Sequence, residues 1–163
     1  MKTVTRLFAL STLALALAAC GKKEEAATAQ PAEAAPLSAP AAGSDDAAWK
    51  KYLTDVVTRN MGDITNAPFV YYLASNADQG SYDRQLEQAS NAMARGVTSG
   101  NMIAFGSPDS TRIADMAVAS FAKAEPNTFK GVRVLFVGAA ADQERVKAAV
   151  EPSGATFVFV EAK

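Results

Sequence analysis

The 163-residue sequence has no histidine, and its single cysteine lies at position 20. A Ser-His-Asp triad, a Cys-His pair, a zinc centre of His and Cys ligands and a CxxC redox pair are therefore all excluded after that position. An internal disulfide is excluded too, since one thiol cannot bridge itself. Net charge is also missing. From Ala47 to Lys163, basic and acidic residues number 12 each. Neither a nucleic-acid partner nor electrostatic attachment to an anionic membrane is expected of so neutral a stretch. GxGxxG and GxxxxGK[ST] are absent as well, so neither nucleotide fingerprint is present and no cofactor is expected.

What is present divides the chain into three. Alanine crowds the first 48 residues, and Phe8 is the only aromatic residue before Trp49. Lys2 and Arg6 precede an apolar stretch, Leu7 to Ala19, of 13 residues. That is too short to cross a hydrocarbon core of about 30 Å as a helix, and it suits a cleavable signal peptide over residues 1–19. The stretch ends in Leu17-Ala18-Ala19-Cys20, which resembles the lipobox of bacterial lipoproteins. The resemblance implies diacylglyceryl (palmitate-type) lipidation of Cys20, cleavage before it and acylation of the new amino group. Two or three acyl chains would hold the protein to a membrane, at about 0.8 kcal/mol per buried methylene. Gly21, rather than Asp, follows the cysteine, and by analogy with diderm lipoproteins this implies the outer membrane, facing the periplasm.

Residues 20–46 comprise that cysteine and a linker. Gly21 to Asp46 has nine alanines, three prolines and Thr28 as its sole β-branched residue. Such a segment cannot bury enough apolar area to offset its ordering entropy. As a flexible coil, 26 residues span roughly 28 Å.

Residues 47–163 carry the fold, with helical and strand patterns alternating four times. Trp49, Tyr52, Leu53, Val56 and Val57 share one helical face, with Asp45 or Asp46 as cap. Pro68 to Ala74 is a buried-strand run. Ser81 is expected to cap the second helix, with Tyr82, Leu86, Ala89 and Met93 inward and Gly96 as its stop. The second strand is Met102 to Phe105. Ser107 and Pro108 form a start signal for the third helix, which turns Ile113, Met116, Ala117, Ser120 and Phe121 inward. Val132 to Val137, a short helix capped by Asp142, and Thr156 to Val160 complete the series.

Strands joined through helices run parallel, and continuous apolar runs mark strands buried on both faces. The fold class is therefore α/β, a three-layer sandwich with a four-stranded parallel sheet. Right-handed crossovers, with two helices wanted on each face, favour the order 2-1-3-4, a flavodoxin-like topology. Receiver domains of that kind carry paired acids after the first strand. Here Ala74-Ser75-Asn76 stands in that place, so the likeness is one of fold alone.

In that order the ligand crevice lies at the carboxyl ends of the first and third strands. Its expected rims are the loops holding Ser75, Asn76, Asp78 and Asp142, with Ser107 and Ser110 to one side. The two hydroxyls at a helix start suit an anion. Asp78 and Asp142, if opposed, suit a hard cation or acid–base work. Each is also an ordinary capping or loop residue, so no metal site is assigned. The functional expectation is a membrane-anchored envelope lipoprotein whose domain is a binding or accessory module for an envelope protein or small ligand, not an enzyme. The alternative is a periplasmic enzyme using carboxylates, with or without a divalent metal, at the same loops.

Overall fold

The computed structural model describes residues 35–41 and 44–163. The signal-like segment, Cys20 and most of the linker lie outside the described residues. The elements alternate as the sequence leads one to expect: α1 (Asp46–Asn60), β1 (Phe69–Tyr72), α2 (Gln79–Arg95), β2 (Met102–Gly106), α3 (Ser110–Phe121), β3 (Arg133–Gly138), α4 (Ala140–Val150) and β4 (Thr156–Glu161). The four strands form one parallel sheet.

Three helix starts differ from expectation, each for a local reason. Asp78, not Ser81, caps α2, because its carboxylate accepts the Ser81 N–H at 2.7 Å. Asp109, not Ser107, caps α3: its carboxylate accepts the Arg112 N–H at 3.1 Å, while the Ser107 oxygen accepts the Asp109 N–H, too early to reach the helix. α4 starts from Ala139 without a side-chain cap, which places Asp142 inside its first turn.

The strand order is β1-β2-β3-β4, not the expected 2-1-3-4. Three successive right-handed crossovers in one direction put α2, α3 and α4 on the same face. Their inward residues, among them Ala89, Met93, Ile113, Met116, Phe121, Val146 and Val150, form the larger apolar core with Ile103, Phe105, Val134 and Phe136. The register lines up Tyr71, Phe105, Phe136 and Phe159 across all four strands on that face. Tyr71 stacks on Phe105 at 5.1 Å and Phe136 on Phe159 at 6.0 Å.

Among the described residues, α1 is the only helix on the opposite face. An even division of helices proved unnecessary because α1 brings five buried residues, Trp49, Tyr52, Leu53, Val56 and Val57, joined by Ile64. They lie on Met102, Ala104, Leu135 and Val137. Gly106 makes the close approach possible: a Cβ there would stand 2.6 Å from Leu53 Cδ1. On the β4 side of α1, residues 35–41 complete the cover. Leu37 donates its N–H to Asp55 of α1, Ala39 donates to the Lys163 carbonyl, and Ala39 packs in the same cluster as Val158 and Val160. On the β1 side there is no equivalent cover among the described residues.

Arg133, out of place by composition in a central strand, has a structural task. Its Nη1 donates to the carbonyls of Asn60 and Met61, both at 2.6 Å, and Nη2 reaches Asp63. A cation on the last carbonyls of α1 satisfies groups that the helix cannot and opposes the negative end of its dipole.

Candidate functional site

The carboxyl ends of the strands divide into a closed part and an open part. In the closed part, Gly138 leaves room for Ser110, whose Oγ would meet a Cβ there at 2.6 Å. The Ser110 hydroxyl donates to Asp142 Oδ2 at 2.5 Å and accepts the Ala139 N–H at 2.7 Å. Arg145 donates through Nε and Nη2 to Asp142 Oδ1 and pairs with Asp115. Ser107, 1 % exposed, donates to Leu73 and accepts from the Asp109 N–H. These groups bind each other. They fasten β1 to the turn after β2, and the start of α3 to the start of α4.

The expected crevice between the first and third strands does not form, because β2 lies between them. Asp78 and Asp142 therefore flank different strands. Asp78 is a helix cap whose carboxyl is held below its ordinary range by the Ser81 hydroxyl and backbone N–H, with Arg84 and Arg112 adding to the effect. Among the described residues, no three acids or other metal ligands group together.

The open part lies beyond β1. Asp46, the first residue of α1, accepts from the Tyr72 hydroxyl at 2.8 Å and from Ser75 N–H and Oγ at 3.2 and 3.4 Å. The Tyr72 hydroxyl, first, and Ser75 hold the Asp46 carboxyl below its usual range. Burial, then the bond to Asp46, pushes the Tyr72 phenol well above its ordinary value. This lock joins the start of α1 to the end of β1. Beside it opens a polar hollow of about 360 Å³ lined by Lys50, Tyr72, Asn76, Asp78, Ser81 and Gln85. Lys50 Nζ stands 5.4 Å from the centre of the Tyr72 ring, a cation–π distance.

Lys50 and Tyr72 also line a second hollow of about 340 Å³, otherwise built from Leu53, Val57, Met61, Pro68 and Val70 with Thr54 and Thr58. The two hollows meet at Lys50 and Tyr72, which line both. The polar one lies at the carboxyl end of β1, against the following loop and the start of α2, and the apolar one lies between α1 and β1; the pair is called the trough. A somewhat larger hollow, about 420 Å³, lies by the end of α2 around Arg95, Val97 and Glu125. That is the amino end of the sheet, away from where open parallel sheets hold their ligands.

Of the residues singled out from sequence, the structure sets Asn76 and Asp78 in the trough, ties Ser75 to Asp46 beside it, ties Ser107 to Leu73 and Asp109, and closes Ser110 and Asp142, with Arg145, into a clamp between α3 and α4. The trough wall formed by Lys50, Leu53, Val57, Val70 and Tyr72 was not anticipated. An order with the first strand inside the sheet hides it, since it exists only where β1 is an edge.

Comparison with known families, curated proteins and solved structures returned no match. Fold and site together define an α/β domain with a four-stranded parallel sheet and an open trough along one edge strand.

Proposed function

We propose that this chain is an envelope lipoprotein, anchored through Cys20 to the outer membrane on its periplasmic side, whose α/β domain is a binding module. The Leu17-Ala18-Ala19-Cys20 motif and Gly21 support the anchor. One observation carries the binding reading: the polar and apolar hollows meet at Lys50 and Tyr72 in a single trough beside an edge strand. Concave sites with apolar walls and a few placed polar groups are how proteins take ligands. The carboxylates that an acid–base mechanism would draw on are engaged with donors of the chain itself: Asp46 with Tyr72, Asp78 with Ser81, and Asp142 with Ser110 and Arg145. This favours binding over carboxylate catalysis.

Two measurements test the proposal. Radiolabelled palmitate should enter the wild-type protein and hold it in the membrane fraction, and Cys20→Ser should abolish both; an unlabelled wild-type protein would sink the anchor. Thermal-shift titration with sodium dodecanoate and with pooled short peptides tests the trough, because a ligand at a hundred times its Kd stabilises a fold by about 2.7 kcal/mol. Stabilisation should disappear in Val70→Asp. If neither ligand class shifts the melting temperature, the trough is not a binding site.

A further inference from the structure

Oxidation turns the apolar thioether of methionine into a polar sulfoxide. The sequence has five methionines, and four of them lie among the described residues. Three are sealed in the core: Met93 is 1 % exposed, and Met102 and Met116 are each 0 %. Met61 is different. It stands one residue past α1, is partly exposed, and lines the apolar hollow with Val57, Pro68 and Val70. A dissolved oxidant therefore reaches this sulfur and not the other three.

The backbone of Met61 is pinned on both sides. Its N–H donates to the Thr58 carbonyl at 3.4 Å, and its carbonyl accepts from the Ile64 N–H at 3.0 Å and from Arg133 Nη1 at 2.6 Å. The side chain packs on the apolar cluster under α1, so an oxygen added to the sulfur stays beside the hollow. The hydroxyls there have no proton to spare for it. Thr54 and Thr58 donate to the carbonyls of Lys50 and Thr54, and Tyr72 donates to Asp46. Lys50 lies about three turns earlier along α1, against the Tyr72 ring. The new oxygen has to hold water, and water kept in an apolar groove opposes the burial of an apolar ligand.

We propose that Met61 is an oxidation site for hydroperoxides and that its sulfoxide closes the apolar half of the trough to ligands. The closure rests on the reading that the trough is a ligand site and adds a means of regulating it. A sulfur lone pair attacks one peroxide oxygen, and the S–O bond forms as the O–O bond breaks. The transferred oxygen gives its proton to the departing hydroxide, which leaves as water. The thioether is oxidised by two electrons and hydrogen peroxide is reduced by two.

The test exposes full-length protein in lipid nanodiscs to hydrogen peroxide and locates the added oxygen by peptide mass spectrometry. Met61 should react about tenfold or more faster than Met93, Met102 and Met116, and in urea all four should react alike. Sodium dodecanoate and pooled short peptides are then titrated against native and oxidised protein, with melting followed by Trp49 fluorescence. Apparent affinity should fall about tenfold on oxidation and return after treatment with the two methionine sulfoxide reductases, which act on one sulfoxide epimer each. Met61→Leu should bind as the wild type does and keep its affinity in peroxide, with circular dichroism confirming that each sample is folded. Equally fast reaction of a core methionine in the folded protein would overturn the site. Unchanged affinity of the Met61 sulfoxide, or the same loss in Met61→Leu, would overturn the closure and leave the trough a ligand site. If neither probe shifts the native melting temperature, the trough reading fails and the closure fails with it.

Discussion

Replacing Gly106 with alanine probes the contact that seats α1 on the sheet and so forms the wall of the trough. The new Cβ would stand 2.6 Å from Leu53 Cδ1 and 3.1 Å from Cδ2. Carbon atoms rest at about 3.5–4 Å, so the leucine has to withdraw by roughly 1 Å. Leu53 is 3 % exposed but borders the apolar groove, which gives it somewhere to go. The cost should therefore fall in the lower half of the range for overpacking, about 1–2 kcal/mol. Leu53→Ala alone leaves a cavity under α1 and should cost about 2–4 kcal/mol. In the double variant the added methyl occupies part of that cavity, so the two costs should fail to add by about 1 kcal/mol or more. Urea unfolding measures all three. The single tryptophan, Trp49, is buried between α1 and the sheet and reports the seam by fluorescence. Costs that add within about 0.5 kcal/mol, or a Gly106→Ala protein as stable as wild type, would refute this placement of α1.

Other consequences are open to measurement. Asp142→Ala takes from the Ser110 hydroxyl its acceptor and from the Arg145 guanidinium one of its two carboxylates, and should cost about 1–3 kcal/mol, with ligand binding in the trough unchanged; binding lost in a folded protein would make the clamp part of the site. Because Asp46 is depressed by Tyr72 and Ser75, its stabilisation is present above the unfolded-state pKa and is lost as pH falls through the lower folded value. Tyr72→Phe should raise the Asp46 carboxyl titration, followed by NMR, and weaken that acid-side dependence; an unmoved titration would contradict the lock. Arg133→Leu, which strips the last carbonyls of α1 of their donor, should destabilise by about 1–2 kcal/mol, and an unchanged urea midpoint would count against the cap. The Leu37 and Ala39 amides should exchange with solvent more slowly than that of Ala35, and Asp55→Ala should release Leu37 alone.

Much of this was legible beforehand because period and polarity are local properties. Trp49, Tyr52, Leu53, Val56 and Val57 declared the inner face of α1 by spacing alone, and they are its buried residues. Gly96 ends α2 with a φ of 77°, a backbone angle that glycine adopts at little cost. Caps were less legible. Ser107 looks like a helix cap in sequence, but its hydroxyl bridges the Leu73 carbonyl, 34 residues away just past β1, and the Asp109 N–H, and the cap is Asp109. Nothing near Arg133 in the sequence accounts for a cation in a central strand; the end of α1, 72 residues away, does.

The sequence by itself determined that helices and strands alternate, that the strands are parallel, and that His- and Cys-based chemistry is excluded after position 20, because these follow from composition and from periods of two and 3.6 residues. Only the tertiary structure decided strand order, since right-handed crossovers permit both 1-2-3-4 and 2-1-3-4 and the choice depends on how each face is covered. Here one helix, a glycine notch at Gly106 and residues 35–41 sufficed for the second face, which left β1 at the edge with its flank open. That one decision separated Asp78 from Asp142, closed Ser110 and Asp142 into a clamp, and exposed the trough at Lys50, Val70 and Tyr72. The local pattern made the strand; its place in the sheet made the site.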